Sequence, residues 1–321
     1  MNTLSICIPT YNRVELLKES INSIIKSIEF SNYEIEIIIS DNCSIDNTKD
    51  YCLDLMNKYH FIKYFRNDEN VNELNFYIAI ERSNTDYVWL FSDDDLMNIN
   101  SITLVIEALN NKYNIIVANY DLYDNNLSKI MKKNYFNLEQ NEVITDRNKL
   151  LSKYNLKLGF ISCVIFDKKS FLCMPIEVFD KYRPYGFPFV YGLYSSLDEN
   201  LNALIISESL LIQRGADQPS DINWWYKCFV EGSSKIFNEL GTFGYKSSAI
   251  RTAKRNVYNN YVTTDLVWRK ANNFNTYKSI RYLFKFYLIF PYSVLKSIII
   301  VLTPNLIFNY AIKIYKRYYT K

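Results

Sequence analysis

Glycine is scarce in this chain of 321 residues: there are seven, and the first is Gly159. Dinucleotide-binding and P-loop folds place glycines between the first strand and helix, so that backbone N–H groups can approach phosphates. Neither arrangement is open to the N-terminal half. A single histidine, His60, excludes a histidine-rich metal site and argues against histidine base catalysis. The six cysteines contain no Cys-x-x-Cys pair, so neither a zinc site nor a disulfide framework is indicated, and buried free thiols are expected. No uninterrupted run of about twenty apolar residues is present, so a clean membrane span is not expected. Met1 to Thr10 lacks a charged n-region and begins a strand at once, so no secretory leader is expected. Acid is nearly missing from one end: residues 251–321 hold thirteen Lys or Arg against Asp265 alone, a net of +12, so the chain's +3 leaves −9 for residues 1–250.

What is present begins with alternation. Leu4 to Ile8 is a short apolar strand stopping at Pro9, which cannot donate to a central ladder. Asn12 and Glu15 have capping-box spacing, and Leu17, Ile21, Ile24, Ile25 and Ile28 continue as one apolar helical stripe. Ile35 to Ile39 reads as a second strand, and Ser44-x-Asp46-x-Thr48 as caps of a helix with the stripe Tyr51, Cys52, Leu55, Met56 and Tyr59. Phe61 to Phe65 is a third strand, followed by a helix over Asn72 to Glu81 and a fourth strand over Tyr87 to Phe91. Strand–helix repetition predicts a mostly parallel sheet with helices on its faces.

The fourth strand ends at Asp93-Asp94-Asp95. Open α/β sheets bind ligands at this carboxyl edge. Closely packed carboxylates repel, and a divalent cation with phosphate completing its oxygen shell relieves the repulsion. The plainer alternative is a solvated acidic turn capping a helix that begins near Asn98.

Three segments, Cys7-Ile8-Pro9-Thr10-Tyr11-Asn12-Arg13, Ile39-Ser40-Asp41-Asn42-x-Ser44-x-Asp46-x-Thr48 and Tyr87-x-Trp89-x-Phe91-x-Asp93-Asp94-Asp95, together resemble family 2 glycosyltransferases over roughly residues 3 to 120. The pattern is similar to bacterial O-antigen and capsule members of abequosyltransferase type. The resemblance implies a GT-A fold, a nucleotide-sugar donor and inversion at the anomeric carbon. It implies that Pro9, Thr10, Tyr11 and Arg13 line the nucleotide pocket, that Asp41 contacts the base, and that Asp94 and Asp95 hold Mn2+ or Mg2+ with Asp93 close by. The family's metal motif often reads Asp-x-Asp-Asp, and Ser92 stands where its first aspartate falls. Either Asp94 holds the metal alone with water, or Asp93 and Asp95 straddle it.

Transfer to an acceptor hydroxyl needs a general base. Asp198 and Glu199 are the candidates, set against a charged helix surface as the alternative. Arg214, after the strand-like Ile205 to Ile212, is a candidate for gripping the pyrophosphate, and Trp224-Trp225 for stacking on a sugar.

The basic tail is also apolar, with Tyr282 to Pro291, Ile298 to Leu302 and Leu306 to Phe308. Such a segment fits an anionic membrane surface. Nucleic acid is disfavoured, because phosphate contacts need no such aliphatic surface, and a tail that packs on the catalytic domain or on another protomer is the third reading. The expected organisation is a GT-A catalytic domain over 1–250, with a nucleotide-binding half over 1–120 and an acceptor half over 121–250, and a helical, basic, membrane-associating extension over 251–321. The expected activity is metal-dependent transfer of a sugar to a lipid-linked saccharide at the cytoplasmic face of the inner membrane, in O-antigen or capsule synthesis. A sugar nucleotidyltransferase and a non-catalytic nucleotide-binding protein are the rival readings.

Overall fold

In the computed structural model, residues 3–215, 222–274, 276–277, 283–284 and 290–310 are described. Leu4–Thr10 forms β1, with every residue buried. Val14–Ser31 forms α1, and the stripe Leu17, Ile21, Ile24, Ile25 and Ile28 is its buried face. The next elements alternate as the sequence predicts: β2 (Glu36–Asp41), α2 (Thr48–Lys58), β3 (Ile62–Arg66), α3 (Leu74–Glu81) and β4 (Tyr87–Leu90). The α2 stripe is narrower than its periodicity suggests, since Cys52 and Leu55 are buried while Met56 is exposed.

β5 (Leu96–Met97), α4 (Ser101–Asn110) and β6 (Ile115–Tyr123) come after them, then β7 (Ile130–Lys132) and β8 (Glu142–Ile144). α5 (Arg147–Tyr154), β9 (Val164–Asp167), α6 (Lys168–Leu172), α7 (Ile176–Tyr182), α8 (Pro188–Ser195) and β10 (Ala203–Gln213) come next. The sheet order is β3-β2-β1-β4-β9-β6-β10-β5, with β7 on β6 and β8 on β10. β1, β2, β3 and β4 are mutually parallel. β9 runs against both β4 and β6, so β6 and its parallel partner β10 point the same way as β4. The carboxyl ends of β1, β2, β4, β6 and β10 therefore share one edge.

Pro9 lies inside β1, which runs on to Thr10 although β1 is a central strand. The ladder explains this. Phe91 N donates to Cys7 O, so Cys7 and, two residues on, Pro9 face the β4 side. The β1–β4 pairing ends at Cys7 and Leu90, so Pro9's missing N–H interrupts nothing.

The chain divides into two compact units, one of residues 1–147, 157–183 and 188–218, the other of 148–156, 184–187 and 219–321. The second unit is helical: α9 (Ile222–Tyr226), α10 (Ser233–Glu239), α11 (Ser247–Val257), α12 (Thr263–Ala271) and α13 (Pro291–Leu302). Trp225, Tyr226, Val230, Tyr258, Val262, Leu266, Leu283, Phe290, Val294 and Val301 form its core. Trp225 stacks on Phe229 and is buried there, which makes it a packing residue. The charge step at 250 is a change of composition, whereas packing groups 219–250 with the basic segment. Residues 278–282, 285–289 and 311–321 of the tail lie outside the described residues. No helix among the described residues is long and apolar enough to cross a membrane.

Candidate active site

The β1 loop is braced by the β2 loop. Asn12 takes a left-handed backbone (φ 53°), which asparagine tolerates. Its N–H donates to Ser44 Oγ at 2.9 Å, and its Oδ1 accepts from Ile45 N at 2.8 Å. Asp46 Oδ2 accepts from Val14 N at 3.0 Å, while Oδ1 accepts from Thr48 N at 3.1 Å. Asp46 thus serves the starts of both α1 and α2. The expected Asn12–Glu15 capping box is not formed: Glu15 pairs instead with Lys18. A side chain from another loop has replaced the local cap.

A cavity of about 410 Å³ opens at the carboxyl edge, lined by Pro9, Thr10, Tyr11 and Arg13 together with Asp93 and Ser92. Pro9, Thr10, Tyr11 and Arg13, expected at the nucleotide pocket, thus come together with Asp93. Asp41 does not line it. Asp41 is fully buried, accepts from Ser44 N at 2.9 Å and Tyr64 Oη at 2.7 Å, and lies 3.7 Å from Arg66 Nε. From that side the cavity is lined by Asn42, Asn70, Asn72 and Asn75, with Glu73 and Phe76 among them. Asn42 Nδ2 donates to Asn70 Oδ1, Asn67 Nδ2 donates to both Asn42 Oδ1 and Asn75 Oδ1, and Arg82 donates to Asn67 Oδ1. No local pattern in the sequence marks this amide network. Its members are spread over two loops and a helix start, and asparagine is abundant throughout the chain.

In the acidic turn, Asp93 Oδ2 accepts from Thr10 Oγ1 at 2.7 Å. Arg13 Nη1 lies 3.3 Å from both Asp93 Oδ1 and Asp94 Oδ2. Asp94 Oδ1 accepts from Ser92 Oγ at 2.6 Å. Asp95 is turned elsewhere: Oδ2 accepts from Ser162 Oγ at 2.6 Å, and Oδ1 from Arg214 N at 3.1 Å. Ser162 also accepts from Ser92 N, and its carbonyl accepts from Trp89 Nε1, so this residue before β9 holds the turn from below. No sequence signal marks it.

Burial pushes the Asp93 carboxyl up to about 6, against the opposing pull of Arg13 and Thr10. Burial, then the neighbouring Asp94 charge, pushes Asp95 up to about 8, outweighing the hydrogen bonds from Ser162 and Arg214.

A divalent cation needs oxygens that converge. Among the described residues no group of three or more His, Cys, Asp or Glu side chains is placed to hold a metal. Asp93 and Asp94 do aim one oxygen each at a single cationic nitrogen of Arg13, an arrangement that suits a hard cation completing its shell with phosphate and water. The expected pair Asp94 and Asp95 is not the converging one, because both Asp95 oxygens are bound to Ser162 and Arg214.

Arg214 is not free to grip a pyrophosphate in this structure. Its Nε donates to Asp94 O at 3.0 Å, Nη1 to Asn125 O at 3.0 Å, and Nη2 to Glu19. Asp198 and Glu199 are also misplaced for the expected role. They precede β10, and Asp198 accepts from Asn200 N in a turn beside the start of β6. β10 then runs eleven residues, roughly 33 Å, before reaching the acidic turn. The two acids lie at the amino edge of the sheet, because β10 must cross the sheet's full depth before the chain arrives at the carboxyl edge.

The family described as Glycosyl transferase family 2 matches residues 5–174. Abequosyltransferase RfbV of Salmonella typhimurium is 39% identical over 117 residues, 36% of this chain and 35% of that protein. The GalNAc(5)-diNAcBac-PP-undecaprenol beta-1,3-glucosyltransferase of Campylobacter jejuni is 29% identical over 161 residues, 48% of this chain and 50% of that protein. The chain thus spans between about a third and a half of the length of these relatives. Among solved structures, S. aureus TarS 1-349 in complex with UDP superposes with a TM-score of 0.62 at 13% identity, over 88% of this chain and 78% of that one. Mannosyltransferase PcManGT from Pyrobaculum calidifontis, in complex with GDP-Man and Mn2+, gives 0.53 at 10% identity, over 100% and 88%. These structures identify the fold as GT-A.

Proposed function

The chain belongs to glycosyl transferase family 2, and on that premise we propose that it is an inverting glycosyltransferase moving a sugar from a nucleotide-sugar donor to a lipid-linked saccharide. The observation that carries this reading is the convergence of Asp93 Oδ1 and Asp94 Oδ2 on one cationic position beside the cavity of Pro9, Thr10 and Tyr11.

Asp93 and Asp94 would hold Mn2+ or Mg2+, which as a Lewis acid offsets charge on a departing diphosphate, worth several kcal/mol in such sites. The chain's own residues supply the rest. Thr10 and Ser92 hold the two carboxylates in place, and Arg13 offers a guanidinium to phosphate where it now faces the aspartates. The asparagines Asn42, Asn70, Asn72 and Asn75 wall the cavity with donors and acceptors suited to a base or ribose.

The lipid-linked acceptor is supported by the Campylobacter relative, whose name contains a PP-undecaprenol saccharide, and surface-glycan synthesis of the O-antigen or capsule kind by the likeness to the abequosyltransferase. The basic, apolar second unit supports peripheral attachment at the cytoplasmic face of the inner membrane. The test is calorimetric binding of UDP, GDP, CDP and dTDP, each with and without manganese, on wild type and Asp94→Asn. Manganese-dependent binding of one nucleotide, lost in the variant, is expected; no binding to any of them in folded protein would overturn the reading.

A further inference from the structure

The second unit contains a cavity of about 620 Å³ lined by Arg251, Arg255, Asn259, Tyr292 and Lys296. Arg251 and Arg255 are one turn apart on α11, and both guanidinium groups lie over the buried ring of Phe290, at 5.8 and 5.6 Å. Lys296 reaches the same space from α13.

The carboxylates of this unit are few. Residues 219–321 contain Asp221, Glu231, Glu239 and Asp265. Glu231 pairs with Lys235 at 2.9 Å, and Asp265 with Arg269 at 2.8 Å. Lys270, also buried, donates to Val301 O at 2.7 Å. Two of the buried cations, Arg269 and Lys270, are thus satisfied within the fold, whereas Arg251, Arg255 and Lys296 are exposed and have no ion pair among the described residues.

An apolar stripe adjoins them. On α13, Val294, Ser297 and Val301 face the core, while Tyr292 (77% exposed), Leu295, Ile299 and Leu302 recur at helical spacing on the solvent side. Leu306 and Ile307 prolong the exposed apolar surface. An acidic peptide or a nucleic acid would use the cations and leave this stripe in water. An amphiphile with a phosphate head and acyl chains uses both.

We propose that the cavity binds the phosphate head group of an anionic phospholipid, with Arg251 and Arg255 gripping the phosphate, Lys296 closing the site, and the α13 stripe entering the acyl boundary. Two guanidinium forks suit phosphate oxygens better than a diffuse charge does. This rests on the membrane-surface reading above and adds a specific site to it.

Truncating the tail is a poor test, because Phe290, Val294 and Val301 belong to the core of the unit. The experiment is co-sedimentation of the full chain with phosphatidylcholine vesicles, with and without phosphatidylglycerol, at fixed ionic strength. Wild type is compared with Arg251→Glu/Arg255→Glu and with Lys26→Glu/Lys49→Glu, an equal charge change on exposed residues of the first unit, each variant checked for folding by circular dichroism. Wild type is expected to prefer the anionic vesicles, the arginine variant to lose about tenfold or more in partitioning, and the lysine variant to stay within about threefold. Inorganic pyrophosphate at matched ionic strength should compete with the anionic vesicles. Equal loss in both variants, or equal binding of wild type to both vesicles, overturns the head-group site and leaves the membrane reading standing. Absence of binding to either vesicle overturns both. Tight pyrophosphate binding without vesicle binding, lost in the arginine variant, assigns the cavity to a free phosphate instead.

Discussion

The backbone N–H of Arg214 donates to Asp95 Oδ1 across 119 residues of sequence, and the Arg214 side chain donates to the neighbouring carbonyl of Asp94. β5 pairs antiparallel with β10, Met97 opposite Leu211, which carries the acidic turn alongside the residue just past β10. Arg214 therefore staples the acidic turn to the far part of the sheet.

That arrangement predicts the behaviour of Arg214→Ala. Its side chain is only 8% exposed and makes charge-assisted hydrogen bonds to Glu19 and two carbonyls. Loss of these contacts should cost about 1.5–3 kcal/mol of stability, read as a lowered urea midpoint, with sugar transfer falling in parallel. An unchanged midpoint with abolished nucleotide affinity would return Arg214 to the pyrophosphate.

Asp94→Asn should leave the melting temperature nearly unchanged, because Asp94 is the least buried of the three aspartates and its Oδ1 partner Ser92 can hydrogen-bond an amide equally well. Transfer should fall by about two to three orders of magnitude, corresponding to the loss of a few kcal/mol of transition-state stabilisation. Activity within about tenfold of wild type would remove the metal assignment.

Asp198→Asn and Glu199→Gln should each retain transfer within about twofold, since surface changes away from the site have small effects. Both residues sit before β10, at the amino edge of the sheet. A large loss in kcat from either, with an intact fold, would show that the amino edge takes part in the reaction.

Acid stability should depend on Glu36 and Asp46. Burial opposes ionisation of Glu36, but Lys63, Ser5 Oγ and the Asn84 N–H outweigh it and hold the carboxyl below its ordinary 4.5. Asp46 likewise lies below its ordinary 3.8: burial acts against this, but Thr48 and the Val14 N–H prevail. The folded state thus binds fewer protons than the unfolded one. Their stabilisation is complete above about pH 4.5 and is lost as pH falls through the depressed folded values. Glu36→Gln should lower stability at neutral pH and flatten the acid limb of a denaturation series. An acid limb identical to wild type would show that Glu36 contributes nothing there.

Much of the first unit was legible because its signals are local. The α1 stripe, the alternation up to β4 and the strand-end positions of Thr10, Arg13 and Asp93 come from periodicity and turn residues over short windows. The Asn12–Glu15 cap failed for the converse reason. A capping box competes with any better acceptor the fold brings near, and Asp46, from another loop, is that acceptor. Asp41 shows the same effect: it stands after β2 as expected, but Tyr64 and Arg66 on β3 and the Ser44 N–H occupy its oxygens, leaving the cavity to the asparagines.

The order of residues along the chain was enough to bring Pro9, Thr10, Tyr11 and three aspartates to a common edge, since each strand's length and direction are encoded by its own residues. Folding in three dimensions settled which carboxylate oxygens remain directed at the site. Asp93 and Asp94 share a cationic position, Asp95 is turned toward Ser162 and Arg214, and Asp198 and Glu199 are left at the opposite edge. Side-chain direction is set by hydrogen-bond partners 67 and 119 residues away, and no window of sequence contains both ends of such a bond.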